Sequence, residues 1–221
     1  MLNEMMFRPI IDEPVLQFMR HDQVQLTGAL KDLEENAHER NVPIIPHETV
    51  IFLQFYLRAL QPKNILEIGT AIGFSASLMA ETLPEAKIIT IERFELMATE
   101  AQKNFDKLDS RKQITLKEGQ AADILPELPA ETYDFIFMDS AKAKYLEFLP
   151  ACLRVLKKGG TLAIDDVLQA GTILQPIEEI PRKNRAIHRK LNELFQTIHN
   201  DPTLGSTILP LGDGLLLVQK L

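Results

Sequence analysis

Asn64-Ile65-Leu66-Glu67-Ile68-Gly69-Thr70-Ala71-Ile72-Gly73-Phe74-Ser75-Ala76 is an apolar strand that runs into a carboxylate, a glycine turn and a helix start. A second strand, Lys87-Ile88-Ile89-Thr90-Ile91, follows and ends in another acid, Glu92. This is the βαβ layout of a nucleotide-binding site, with the second acid placed to accept hydrogen bonds from ribose hydroxyls. The glycine spacing narrows the ligand. Gly69 and Gly73 stand in a Glu-x-Gly-x-x-x-Gly pattern, not the Gly-x-Gly-x-x-Gly that a dinucleotide pyrophosphate requires. An acid two residues before the first glycine would repel that anion. A ligand with a positive end and a bare ribose suits the pair of acids, and S-adenosylmethionine is such a ligand.

Outward from this segment, strands and helices alternate. Strands are expected near 64–68, 87–91, 113–117, 133–138 and 160–164, and helices near 74–82, 94–108, 144–156 and 183–200. Such alternation predicts a parallel sheet with helices on both faces. The C-terminus departs from it: residues 206–211 and 215–219 flank Gly212-Asp213-Gly214, which reads as the turn of an antiparallel hairpin. Upstream, residues 12–41 read as one helix that stops before Pro43, and 47–60 as a second. The expected fold class is therefore α/β, a Rossmann-like, mainly parallel seven-stranded sheet with a C-terminal antiparallel hairpin. The expected organisation is one domain over 1–221, with a helical extension over 1–60 and the core over 61–221.

Composition sets limits on the setting. The chain has 221 residues, 45% hydrophobic and 25% charged, which is enough length for one large domain with its own core. The greasiest segment, Val50 to Leu60, is interrupted by Gln54 and Arg58, so no membrane span is expected. The N-terminus lacks the apolar core of a signal peptide, and the single cysteine, Cys152, has no partner within the chain; both point to the cytoplasm. Cys152 lies among Leu149, Leu153 and Leu156 and reads as a buried apolar side chain. A net charge of −7 argues against a protein that coats nucleic acid non-specifically. Yet Arg182, Lys183, Arg185, Arg189 and Lys190 form a local cationic run without an acid, which leaves the rest of the chain at −12 (−7 less +5).

Ligands of open α/β sheets bind beyond the carboxyl ends of the strands. Those ends carry Glu67-x-Gly69-Thr70, Glu92, Glu118-Gly119-Gln120-Ala121, Asp139-Ser140-Ala141-Lys142 and Asp165-Asp166. Three carboxylates from two neighbouring strand ends can converge on a hard cation such as magnesium. The plainer readings stand beside this. An Asp at a strand end is commonly a turn residue, and a lone loop lysine is commonly solvated. A basic run such as 182–190 is ordinarily a solvated helix face. The five histidines, at 21, 38, 47, 188 and 199, show no metal-ligand spacing.

Taken together, Leu66-Glu67-Ile68-Gly69-Thr70-Ala71-Ile72-Gly73-Phe74-Ser75, Asp139-Ser140-Ala141-Lys142 and Asp165-Asp166-Val167-Leu168 resemble the metal-dependent class I O-methyltransferases related to catechol and caffeoyl-CoA methyltransferases. The basic segment and the ending Pro210-Leu211-Gly212-Asp213-Gly214 make the chain similar, within them, to the bacterial tRNA 5-hydroxyuridine methyltransferases. The resemblance implies that Ile45, Glu67, Gly69, Thr70, Gly73, Ser75, Glu92, Gln120, Ala121 and Asp139 line an S-adenosylmethionine pocket. It implies that Asp139, Asp165 and Asp166 hold Mg2+ or another divalent cation, and that Lys142 is the catalytic lysine, with a depressed pKa. It implies a homodimer and a tRNA anticodon loop as partner, drawn to Arg182, Lys183, Arg185, Arg189 and Lys190. The alternative acceptor is a small catechol or a hydroxycinnamoyl-CoA. Two departures from the family pattern stand out: Asp165-Asp166 where Asp-Asn is usual, and Gly119-Gln120 where Gly-Asp is common.

Overall fold

The structure, a computed structural model, describes residues 11–221. The first ten residues of the expected extension over 1–60 thus lie outside the described residues. Contacts group residues 13–121 into one compact unit and 122–221 into another.

The first unit opens with three helices, α1 (Glu13–His21), α2 (Gly28–Glu39) and α3 (His47–Leu60). The single helix expected over 12–41 is two, because the chain breaks at 22–27 and restarts at Gly28, whose φ of 62° is left-handed. Two nitrogens of the Arg20 guanidinium on α1 meet the buried carboxylate of Glu48 on α3 at 2.9 Å, which gives that buried charge a bidentate partner. The helix α3 ends at Leu60, with Gln61 left-handed at its C-cap. Three strands follow, β1 (Asn64–Ile68), β2 (Lys87–Glu92) and β3 (Ile114–Glu118), alternating with α4 (Phe74–Thr82) and α5 (Glu95–Leu108). All three are parallel, with β2 between β1 and β3. Every residue of α4 from Phe74 to Ala80 is buried, which explains its small side chains Ser75, Ala76, Ser77 and Ala80.

A four-residue helix, α6 (Ala121–Ile124), leads into the second unit. This unit contains β4 (Tyr133–Met138), α7 (Tyr145–Val155), β5 (Leu156–Ile164), α8 (Arg185–His199), β6 (Leu204–Leu209) and β7 (Leu215–Lys220). Strands β4 and β5 are parallel, whereas β7 runs antiparallel to both β5 and β6. The strand expected from 160 begins at Leu156, and its pairing with β4 shifts register between Tyr133 and Phe135. The seven strands and their closing hairpin are those of a Rossmann-like α/β fold, as expected. Cys152 is fully buried on α7, where burial pushes its thiol up to about 12. No helix among the described residues is long and apolar enough to cross a membrane.

Candidate active site

In the unit 13–121, the parallel register places Glu67 of β1 opposite Thr90 of β2. Glu67 is completely buried, and a buried carboxylate needs partners. Its two oxygens accept hydrogen bonds from Ser75 Oγ and Thr90 Oγ1, both at 2.5 Å, and the Thr90 hydroxyl also meets Thr70 Oγ1 at 2.5 Å. Glu67 therefore fastens both ends of the glycine turn: the start of α4 through Ser75, and Thr70 through Thr90. The turn itself requires left-handed backbone at Gly69 (φ 103°) and Gly73 (φ 86°). At Gly73 a side chain is also excluded by packing, since a Cβ there would come within 2.5 Å of the Phe105 ring.

Glu92, at the end of β2, accepts hydrogen bonds from the N–H groups of Ala71 at 3.0 Å and of Arg93 and Phe94 at 2.9 Å. It ties the glycine turn to the entry of α5. A carboxylate has about four lone-pair directions, so three backbone donors leave room for one ribose hydroxyl. Ile45 is buried just before α3, Ala121 is buried at the start of α6, and Gln120 is exposed. Sequence reasoning missed Thr90. Its signal is the alternation along β2, legible once the partner of Glu67 is known.

The second cluster belongs to the unit 122–221. Met138 pairs with Ile164, and the Asp165 N–H donates to the Met138 carbonyl at 3.0 Å. Asp139 and Asp165 therefore leave the ends of neighbouring strands side by side. Their electrostatics report the crowding. Burial, then the Asp166 charge, pushes Asp139 up to about 7, with Lys142 opposing. Burial, then the charges of Asp139 and Asp166, raises Asp165 well above the usual carboxylate range. Tyr145 is fully buried, and its phenol is raised by burial and by all three acids. Its hydroxyl donates to the Ser140 carbonyl at 3.2 Å and accepts the Ser140 N–H at 3.4 Å, pinning the loop that follows Asp139.

Among the described residues, no three or more His, Cys, Asp or Glu side chains are arranged to hold a metal ion. The donor chemistry nonetheless suits a hard divalent cation: mutually repelling carboxylates at adjacent strand ends are relieved when a cation is placed among them. As arranged, Asp166 faces a cation of the chain itself. Lys142 Nζ lies 3.3 Å from Asp166 Oδ2 and 2.9 Å from Asp213 Oδ2. This overturns the expected depression of the Lys142 pKa. Burial disfavours its charge, but the facing carboxylates of Asp166 and Asp213 outweigh burial and raise it. Lys142 is an ammonium here, suited to stabilising an anion rather than taking a proton. In sequence, Asp213 reads only as a turn residue.

The basic run divides in two. Arg182 and Lys183, on a short 3-10 turn before α8, are exposed, as are Arg189 and Lys190. Arg185 is instead spent on the carbonyls of Ile180 and Glu178, at 2.8 and 3.0 Å, and fixes the entry to α8. Lys190 Nζ donates to the Ala143 carbonyl at 2.9 Å, so α8 is fastened to the Lys142–Lys144 turn. Lys190 of the basic run thus lies beside the turn that carries Lys142.

The sequence profile of the O-methyltransferases matches residues 21–221. The chain is similar to a catechol O-methyltransferase of Niastella koreensis, 33% identical over 177 residues that cover 78% of this chain and 79% of the relative. It is also similar to caffeoyl-CoA O-methyltransferase 2 of Populus trichocarpa, 29% identical, covering 87% of this chain and 81% of that protein. Among solved structures, the methyltransferase PaMTH1 of Podospora anserina, bound to SAH, superposes with a TM-score of 0.84 at 23% identity, covering 95% and 94% of the two chains.

Proposed function

This chain belongs to the O-methyltransferase family, and we propose that it moves the methyl group of S-adenosylmethionine onto the 5-hydroxyl of 5-hydroxyuridine in a tRNA anticodon loop. The product is 5-methoxyuridine, and the enzyme works in the cytoplasm. The observation that carries this reading is the Lys190–Ala143 hydrogen bond, which holds one cation of the basic run against the turn bearing Lys142. An anticodon loop presents unstacked bases, as a site at a sheet end requires.

The glycine turn held by Glu67 and Glu92 receives the cofactor, with Glu92 offering its free lone pair to the ribose. Asp139, Asp165 and Asp166 would hold Mg2+ or a similar divalent cation. Bound there, it would supply Lewis-acid stabilisation of neighbouring acceptor oxygens, such as O5 and O4 of the base. The acceptor hydroxyl gives its proton to water, and Lys142, charged and held in place, stabilises the oxyanion that is left. Tyr145 keeps the loop between Asp139 and Lys142 rigid, and alignment of acceptor oxygen and sulfonium methyl supplies much of the rate.

A second reading has an observation in its favour: the Niastella koreensis relative is a catechol O-methyltransferase. A catechol offers the same pair of adjacent oxygens. The deciding experiment supplies S-adenosylmethionine and Mg2+ with either tRNA containing 5-hydroxyuridine, catechol or caffeoyl-CoA, and analyses the products by mass spectrometry. Appearance of 5-methoxyuridine supports the tRNA reading. Methylation of a small acceptor with none of the nucleoside overturns it.

A further inference from the structure

We propose that Asp213 is a positioning residue for Lys142, sharing the ammonium with Asp166 so that it does not close on that acid alone. The inference rests on the reading of Lys142 as part of the active site. Asp213 is 4% exposed, and its two oxygens have separate tasks. Oδ2 receives Lys142 Nζ at 2.9 Å, across 71 positions of sequence, while Oδ1 accepts the Ala170 N–H at 2.5 Å.

The anchor is rigid for reasons visible in the backbone. The carbonyls of Asp213 and Gly214 accept the N–H groups of Leu168 and Val167 at 2.8 and 3.0 Å. Gly214 has φ 90°, and a Cβ there would collide with the Leu168 side chain, so the turn lies flush on the segment after Asp166. Gln169 and Ala170 in that segment are themselves left-handed, at φ 48° and 54°, a conformation that persists only when the surroundings hold it. The Ala170 N–H bond to Asp213 is one such restraint.

Lysine is a point charge on a flexible four-carbon stem, and it follows the strongest local field. Lys142 has two facing carboxylates, Asp213 and Asp166. With Asp213 neutral, the remaining pull comes from Asp166, one of the acids assigned to the cation. The ammonium would then swing toward that acid and compete for it. With Asp213 charged, the ammonium is held between two carboxylates, one of them fixed, and stands 3.3 Å from Asp166 Oδ2 instead of closing on it. A Gly-Asp-Gly turn in a hairpin thus has a task beyond reversing the chain.

The test compares the parent with Asp213→Asn, Lys142→Met and the double variant, all as full-length protein. The first readout needs neither acceptor nor cation: the rate at which acetic anhydride modifies Lys142, followed by peptide mass spectrometry. Release from Asp213 should speed modification of Lys142 several-fold and leave the exposed Lys144 unchanged. The second readout is turnover on 5-hydroxyuridine tRNA, or on catechol if that is the acceptor used. Asp213→Asn should lower kcat about ten-fold, the scale of one charge-assisted hydrogen bond, with KM for S-adenosylmethionine unchanged. Added to Lys142→Met it should cost nothing further, because its effect runs through the lysine. Unchanged labelling of Lys142, or the same loss of kcat in the Lys142→Met background, would overturn the proposal and leave Asp213 a turn residue. Full kcat in Lys142→Met alone would instead refute the reading of Lys142, and the role of Asp213 with it.

Discussion

Glu67 carries a structural task in addition to the cofactor contact expected of it. Its place before Gly69 suggests a carboxylate facing the cofactor, and in the structure it lies fully buried, organising Ser75, Thr90 and, through Thr90, Thr70. Glu67→Gln should destabilise the protein by about 1–3 kcal/mol, the range for losing charged hydrogen bonds in a dry site, and weaken S-adenosylmethionine binding. Urea unfolding and calorimetry measure the two effects; an unchanged unfolding midpoint would contradict the buried role. Asp139 gives a prediction of opposite sign. Its carboxyl moves from an ordinary 3.8 to about 7 on folding. Between those values the folded chain holds a proton that the unfolded chain has lost, so cation-free stability should fall as pH rises through that window. Thermal melts from pH about 5 to about 8 would show the decline, and Asp139→Asn should make it shallower. A cation bound by these acids should restore stability at the alkaline end. Asp213 is illegible in sequence for a simple reason. The lysine it serves lies 71 positions away, and nothing in a Gly-Asp-Gly turn names a distant partner.

At the scale of elements, the alternating strands and helices are legible because burial on one face forces a period on the sequence. The boundaries of β1, α3 and α4 coincide with those expected. Where the pattern misleads, tertiary context decides. Residues 12–41 read as one helix, although Gly28 starts a new one, and the strand expected from 160 begins at Leu156. The basic segment is visible as a charge run, but its internal division is not. Arg185 is committed to two carbonyls, so the proposed tRNA surface is better tested at Arg182 and Lys183. Changing both to Ala should weaken tRNA binding and reduce its salt dependence by about one unit of slope for each phosphate left without a cation. Methylation of a free small acceptor should stay at the parental level. Undiminished tRNA affinity across a salt series would remove this surface from the proposal.

On the scale of the whole molecule, the residues proposed for the cofactor turn and those proposed for the cation fall in different units. The glycine turn with Glu67 and Glu92 belongs to residues 13–121, and Asp139, Asp165 and Asp166 belong to 122–221. S-adenosylmethionine should therefore bind in the presence of a chelator, as calorimetry would register, while methyl transfer stops and returns on adding Mg2+. Turnover at the full rate in excess chelator would refute the cation assignment. Cys152 has a further consequence. A lone thiol enclosed in α7, pushed up to about 12, is silent toward maleimides in the folded protein. The wild-type chain is thus already a cysteine-free background in practice. A Lys183→Cys variant would accept one fluorophore at the edge of the cationic surface, and its emission would become a clock for how fast an RNA arrives and leaves.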